Sequence, residues 1–122
     1  MNRLQQFGKD SESKAVDFLK ENGYKILETN YRNSIGEIDI IAKSNGVLVF
    51  VEVKARSSFR FGNPKYAIGP KKQRKISMAA LCYLKATRQT KVKARFDVVI
   101  ILSSAKTSQI KIIKNAFELA YS

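Results

Sequence analysis

The sequence predicts an α/β fold in the order helix, three strands, helix, two strands, and three observations carry that prediction. Two alternating apolar runs meet at Asn45-Gly46, the strongest short-range signal of a hairpin. Two other segments, Leu4–Asn22 and about Lys71–Ala86, repeat their apolar residues at helical spacing. Two further apolar runs, Ala94–Ser103 and Gln109–Lys114, follow the second helical segment and read as strands. At 122 residues the chain fits one domain, for which roughly 100 to 200 residues is the usual range. Its 44% hydrophobic content, with seven Phe and five Tyr, is enough for a core. No repeat, low-complexity stretch or linker divides it.

The first helix is expected from Leu4, Phe7, Ala15, Val16, Phe18 and Leu19, and Asn22-Gly23 ends it. Glu12 precedes Ala15, Val16 and Leu19 by three, four and seven residues, so it lies on or beside the core-facing stripe. Periodicity alone favours a border glutamate paired with Lys9 or Lys14. Tyr24–Tyr31 reads as the first strand, and the hairpin strands lie near Glu37–Lys43 and Val47–Arg56.

The turn sets the hairpin's register. With Asn45 and Gly46 as the central residues of a type I′ turn, Ser44 pairs with Val47, Asp39 lies opposite Glu52, and Glu37 lies opposite Lys54. Opposed side chains have Cβ atoms about 4.5 to 5.5 Å apart, where like charges destabilise a sheet. A cation between Asp39 and Glu52 would remove that cost. One face of the hairpin carries Ile38, Ile40, Ala42, Val49, Val51 and Val53; the other carries Ile41, Leu48 and Phe50 with Glu37, Asp39, Glu52 and Lys54. Apolar residues on both faces place the hairpin centrally in a sheet covered on both sides.

A loop rich in Gly, Pro and aromatic residues, Ser57–Pro70, leads to the second helix, which turns Ile76, Ala79, Ala80, Tyr83 and Leu84 inward. Lys71, Lys72, Arg74 and Lys75 crowd its first turn, where acids are usually preferred. Free N–H groups beside cations suit a phosphate. After the strand Ala94–Ser103, a turn at Ser103–Ser108 joins the last strand, and Asn115–Tyr121 is expected to add one helical turn.

Charge and composition narrow the chemistry. The chain carries a net charge of +13, and between Glu52 and Asp97 there is no acid but thirteen basic residues. Such a field favours a polyanion, nucleic acid above all, over a solubilising surface or an anionic membrane. Histidine is absent, which excludes serine and cysteine triads that use it, histidine-ligated zinc and a histidine base within this chain. The single cysteine, Cys82, sits among Ala80, Leu81, Tyr83 and Leu84 and reads as a core thiol. No apolar stretch approaches the roughly 20 residues of a membrane span, and the N-terminus lacks a signal peptide's apolar core, so a cytoplasmic protein is expected.

Two carboxylates and a lysine can still do hydrolytic work. Asp39 and Glu52 offer oxygen ligands to Mg²⁺, with Mn²⁺ as a substitute, and such a cation commonly completes its shell with water and substrate phosphate. Lys54, on the face of Glu52, could orient or deprotonate a water or offset charge on phosphorus. Phosphodiester hydrolysis is the inference. Glycosidase chemistry also uses two carboxylates, but it asks for no acid-free basic stretch beside them. Structural salt bridging, Glu37 to Lys54 and Asp39 or Glu52 to arginine, is the plainer reading.

Four segments then bear on family: Gly36-Glu-Ile-Asp-Ile-Ile-Ala42, Val49-Phe-Val-Glu-Val-Lys-Ala-Arg56, the helix start Lys72-Gln-Arg74, and Arg95-Phe-Asp-Val-Val99. They resemble the small YraN-type uncharacterised proteins over nearly the whole chain. That family is similar to archaeal Holliday-junction resolvases and to the wider PD-(D/E)XK nuclease superfamily, with Ile38 here in the place of the proline. The resemblance implies a restriction-endonuclease-like core, a mixed central sheet of about five strands flanked by helices. It implies that Asp39 and Glu52 bind metal, with the Val53 carbonyl as a further ligand, that Glu12 joins them, and that Lys54 is the catalytic lysine. DNA, branched or otherwise structured, is the implied substrate. Arg56, Lys71, Lys72, Arg74 and Lys75 are expected to hold its phosphates, and a homodimer is an option for the assembly. The alternatives are a nucleic-acid-binding or accessory protein that keeps the fold without catalysis, and an assembly protein whose basic surface meets an acidic partner.

Overall fold

A computed structural model of the protein describes residues 3–56, 68–103 and 108–118. Helix α1 (Arg3–Glu21) is followed by strands β1 (Lys25–Arg32), β2 (Glu37–Ser44) and β3 (Val47–Arg56), helix α2 (Pro70–Ala86), and strands β4 (Ala94–Ser103) and β5 (Ser108–Phe117). The strands form one five-stranded sheet in the order β1-β2-β3-β4-β5. Only β3 and β4 run parallel, and α2 lies in the crossover between them; the other three pairs are antiparallel. The sheet is therefore mixed, as the family resemblance implies. Among the described residues no helix is long and apolar enough to cross a membrane.

Local chemistry sets the ends of these elements. Gly23 adopts a φ of 86°, the left-handed conformation that closes α1, while the N–H of Tyr24 donates to the carbonyl of Leu19. Helix α2 starts at Pro70 after an extended Gly69, and no side chain caps its first amides. At its other end the Thr87 hydroxyl and N–H both donate to the Tyr83 carbonyl.

The hairpin turn has Asn45 at φ 50° and Gly46 at φ 79°, both positive as a type I′ turn requires. The expected register holds from Ser44↔Val47 through Ile40↔Val51. There the two strands part. β2 continues with β1, as Tyr31↔Ile38 and Arg32↔Glu37, whereas β3 continues with β4 as far as Arg56↔Leu102. The result is a fork in the middle of the sheet, with Asp39 on one prong and Glu52 on the other.

Two cores flank the sheet. Ala15 and Leu19 of α1 pack with Ile40, Ala42, Val49, Val51, Val99 and Ile101. Ile76, Ala79, Ala80 and Tyr83 of α2 pack with Ile41, Leu48, Phe50, Phe96, Val98 and Ile100 on the other face, with Leu84 partly buried against them. Ile38 departs from the expected alternation, because it joins the α2 core with Ile41 instead of the α1 core with Ile40. β2 changes face at Asp39, where it leaves β3.

The chain's end also differs from expectation. Asn115–Phe117 extend β5 rather than start a helical turn, with Phe117 beside Phe96. Asn115 has a φ of 53° within a register shift, and its N–H donates to the buried Asp97 carboxylate at 2.9 Å. That bond holds an irregular residue inside the strand. The remainder of that predicted turn, residues 119–121, and most of the predicted loop, residues 57–67, lie outside the described residues.

Candidate functional site

The site begins with the lost rungs of the hairpin ladder. In a continued antiparallel pairing the Val53 N–H would donate to the Ile38 carbonyl. With the strands apart, Asp39 Oδ2 accepts that N–H at 2.8 Å. Asp39 thus closes the fork with its side chain, and β3 stays aligned on β4 through Glu52↔Val98 and Val53↔Val99. Asp39 and Glu52 meet across a fork rather than on a ladder rung, which corrects the expected pairing while keeping the two residues together.

Glu52 is the buried member, with its side chain 7% exposed. Burial, and next the neighbouring Asp39 charge, push its carboxyl up to about 7, against the opposing pull of Lys72 and Lys54. A hydrogen bond with Asp39 adds to the rise. Lys54 Nζ lies 3.6 Å from Glu52 Oε1, and Lys72 Nζ lies 3.7 Å from the same oxygen. The expected pairing of Glu37 with Lys54 does not form, since the fork separates their strands; Glu37 instead meets Arg32 at 3.4 Å.

Glu12 approaches from α1 on the Asp39 side. Its carboxyl is raised by partial burial first, then by Asp39, with Glu37 adding a smaller effect; a hydrogen bond from Asn30 opposes the rise. The charges that raise it are those of Asp39 and Glu37, so the helix face that periodicity made a border leads to the site. Yet Glu12, Asp39 and Glu52 do not close into a cluster. Among the described residues no group of three or more Cys, Asp or Glu side chains is placed to hold a metal ion.

The other expected residues fall around the fork. Lys71, Lys72, Arg74 and Lys75 are all exposed on the first two turns of α2, and Lys72 reaches Glu52. Arg56 ends β3, half-buried, and its guanidinium donates to the Ala55 carbonyl at 3.0 Å. Gln73 anchors the helix start, its side-chain amide donating to the Ile68 carbonyl at 2.8 Å. Residues missed in the sequence also position the site. Asn33 Oδ1 accepts the N–H groups of Ile35 and Gly36, while its Nδ2 donates to the Ala79 carbonyl on α2. It thereby ties the start of β2 to the helix that carries the lysines. An asparagine two to three residues before the N–H groups it binds is a turn signal, and that much was available in advance.

The Arg95-Phe-Asp97 segment has a structural role. Asp97 is fully buried, and Tyr24 Oη donates to its Oδ2 at 2.8 Å while Arg95 Nε donates to Oδ1 at 3.0 Å. With the Asn115 N–H on Oδ1, this carboxylate joins the end of α1, β4 and β5, outside the fork.

What this arrangement can do chemically is place two carboxylates and two ammonium groups at one point, under a basic helix start. The same chain is similar to several bacterial proteins. A UPF0102 protein of Desulfosudis oleivorans is 49% identical over 118 residues, 97% of this chain and 94% of that one. Those of Syntrophus aciditrophicus and Geobacter metallireducens are 50% and 51% identical over 114 residues, each match covering 93% of this chain and 90% and 93% of theirs. Among solved structures, the crystal structure of SSO0001 overlaps 95% of this chain at a TM-score of 0.40 and 15% identity, and the chain spans 54% of that protein's length. The sequence profile of the uncharacterised protein family UPF0102 matches residues 11–101, and the chain belongs to that family.

Proposed function

We propose that this protein is a metal-dependent endonuclease that hydrolyses DNA phosphodiester bonds, acting on branched or otherwise structured DNA in the cytoplasm. The observation that carries the reading is the buried Glu52 beside a part-exposed second carboxylate, Asp39, left under-compensated by two lysines, directly beneath the basic start of α2. A hard divalent cation suits that donor set: two carboxylates are as many protein ligands as Mg²⁺ commonly takes, the rest being water and phosphate. Asp39 and Glu52 would hold it, and the Val53 carbonyl shares the strand edge of the N–H that Asp39 accepts, so it too faces the fork. Glu12 would join from the α1 side. When bound, Mg²⁺ or Mn²⁺ supplies a more acidic water and a polarised phosphoryl oxygen.

The protein's own groups supply the rest. Lys54, 24% exposed and fixed by the strand two residues beyond Glu52, orients the attacking water or takes its proton, and faces the charge that develops on phosphorus. Arg56, Lys71, Lys72, Arg74 and Lys75 hold flanking phosphates, and nothing in such contacts reads base sequence. Asn33 fixes the helix that carries four of them against β2. A homodimer would let two such centres act on a two-stranded substrate.

The second reading is a nucleic-acid-binding or accessory protein that keeps the fold without catalysis. It is favoured by the ion pairs that Lys54 and Lys72 already make with Glu52, which offset part of its charge without a metal. Incubation of labelled junction, flap and duplex DNA with Mg²⁺ or Mn²⁺ separates the two, with Asp39→Ala as control. Metal-dependent cutting lost in that variant is expected; DNA binding without cutting by the wild type would transfer the case to the second reading.

A further inference from the structure

The four cations on the first two turns of α2 are not equivalent. Lys71, Lys72, Arg74 and Lys75 are all exposed, but among the described residues only Lys72 of the four pairs with a carboxylate at the fork. The oxygen it reaches, Glu52 Oε1, is the one that Lys54 also approaches, at 3.7 and 3.6 Å respectively. Two ammonium groups converging on one oxygen repel each other. Neither separation falls within the limit of about 3.2 Å for a well-formed N–H···O hydrogen bond, so both contacts are loose.

The two lysines differ in what else they can reach. Lys54 rises from the same strand as Glu52 and is 24% exposed. Lys72 comes from the end of a helix and is 47% exposed, so half its surface is open to an arriving group. A phosphodiester oxygen offers an ammonium a charge-assisted contact of about 2.7 to 2.9 Å, stronger than a shared and stretched one.

We infer that Lys72 is a residue of the catalytic centre that changes partners: it pairs with Glu52 in the free protein and moves to the scissile phosphate when DNA docks. The inference rests on the nuclease reading and separates Lys72 from the general phosphate grip. Its departure relieves Glu52 Oε1 of one of two ammonium partners as the phosphate arrives, so substrate binding and the charge of the acidic pair are coupled. Lys71, Arg74 and Lys75 have no such link to the fork and act as binders.

A thermodynamic cycle on DNA affinity tests the shared lysine without any need for cleavage. Binding of a fluorescein-labelled duplex is measured by anisotropy in EDTA at fixed salt for wild type, Glu52→Gln, Lys72→Gln and the double variant, with urea unfolding to confirm that each is folded. Glu52→Gln is expected to tighten binding about threefold more when Lys72 is present than in the Lys72→Gln background, a coupling of the size seen between groups in contact. Pairing Glu52→Gln with Lys71→Gln should show no such coupling. An equal gain with and without Lys72 overturns the inference. Single-turnover cleavage at saturating protein then reads the catalytic placement: Lys72→Gln should slow it roughly 100-fold, as loss of a group aimed at transition-state charge does, with partial rescue by Lys72→Arg. Lys43→Gln, at an exposed position near the hairpin turn and away from the fork, should leave that rate intact. If Lys72→Gln leaves the saturated rate unchanged as Lys43→Gln does, Lys72 is a binder and the inference fails. A wild type that binds but never cuts would refute the nuclease reading, and the affinity cycle would still decide whether Lys72 is shared between Glu52 and phosphate.

Discussion

Replacing Glu52 by glutamine should stabilise the metal-free protein, and the size of the gain should depend on pH in a defined way. Burial and Asp39 hold the Glu52 carboxyl near 7 in the folded protein against an ordinary value of 4.5. Between those two values the folded state keeps a proton that the unfolded chain has released. Stability from this group is therefore fully present below pH 4.5 and is lost progressively as pH rises to about 7. The interval spans about 2.5 pH units at about 1.4 kcal/mol each, roughly 3 kcal/mol in all. Glutamine keeps the shape and carries no charge, so Glu52→Gln should match wild type near pH 4 and exceed it by roughly 2 to 3 kcal/mol at pH 8 in EDTA. Urea unfolding at both pH values measures this, and the difference between the two proteins cancels the titration of every other carboxylate. Mg²⁺ at pH 8 should then raise wild-type stability and leave the variant nearly unchanged, since a ligand stabilises only the state that binds it. Equal stability of the two proteins at pH 8, or a wild type that gains on the variant as pH rises, would refute the argument from burial and like charge.

Three further outcomes follow from the same contacts. Asp39→Asn removes the charge that ranks second in raising Glu52, so the Glu52 carboxyl should titrate closer to its ordinary value, as read by carbon NMR of a glutamate-labelled sample; an unmoved titration would show that the two groups do not interact. Asp97→Ala leaves Arg95, the Tyr24 hydroxyl and the Asn115 N–H without their acceptor, and should cost roughly 3 to 5 kcal/mol in urea unfolding while the folded fraction binds DNA as before. DNA affinity should fall linearly on a logarithmic salt scale, and loss of Lys71 or Lys75 should each lower the slope by about 0.9; a slope indifferent to both would move the DNA path away from α2.

The parts of this fold that were legible in the sequence are those governed by neighbours along the chain. Asn45-Gly46 accepts positive φ at both positions at little cost, so it sets the register from Ser44↔Val47 to Ile40↔Val51. The inward stripe of α2 follows from helical spacing in the same local way. Illegible were the features decided by a strand or helix that arrives later. β5 runs on through Asn115 because Asp97, eighteen residues earlier, takes its N–H. Ile38 changes face where β2 keeps its pairing with β1 and loses that with β3, a break that alternation within β2 cannot register. Lys72 reaches Glu52 only through the placement of α2 on the sheet, whereas its basic neighbours look identical to it in sequence.

That break in the ladder also decides whether there is a site at all. Had the hairpin register continued, Val53 would have bonded to Ile38, Glu37 would have stood opposite Lys54, and Asp39 and Glu52 would have been two misplaced charges on one rung. The β2–β3 ladder ends at Ile40↔Val51 while β3 stays paired with β4 over Glu52–Arg56, and the gap leaves the Val53 N–H in need of an acceptor. Asp39 fills that need with one oxygen, so its carboxylate is oriented by the backbone that the fork exposes. Glu52 remains buried beside it because β4 covers one edge of its strand and α2 lies over its side chain, bringing Lys72. The acidic pair is thus held together by the same strand separation that removes its ladder. A substitution that restored pairing at Ile38 and Val53 would therefore release Asp39 from Val53 and close the centre, even with Asp39, Glu52 and Lys54 unchanged.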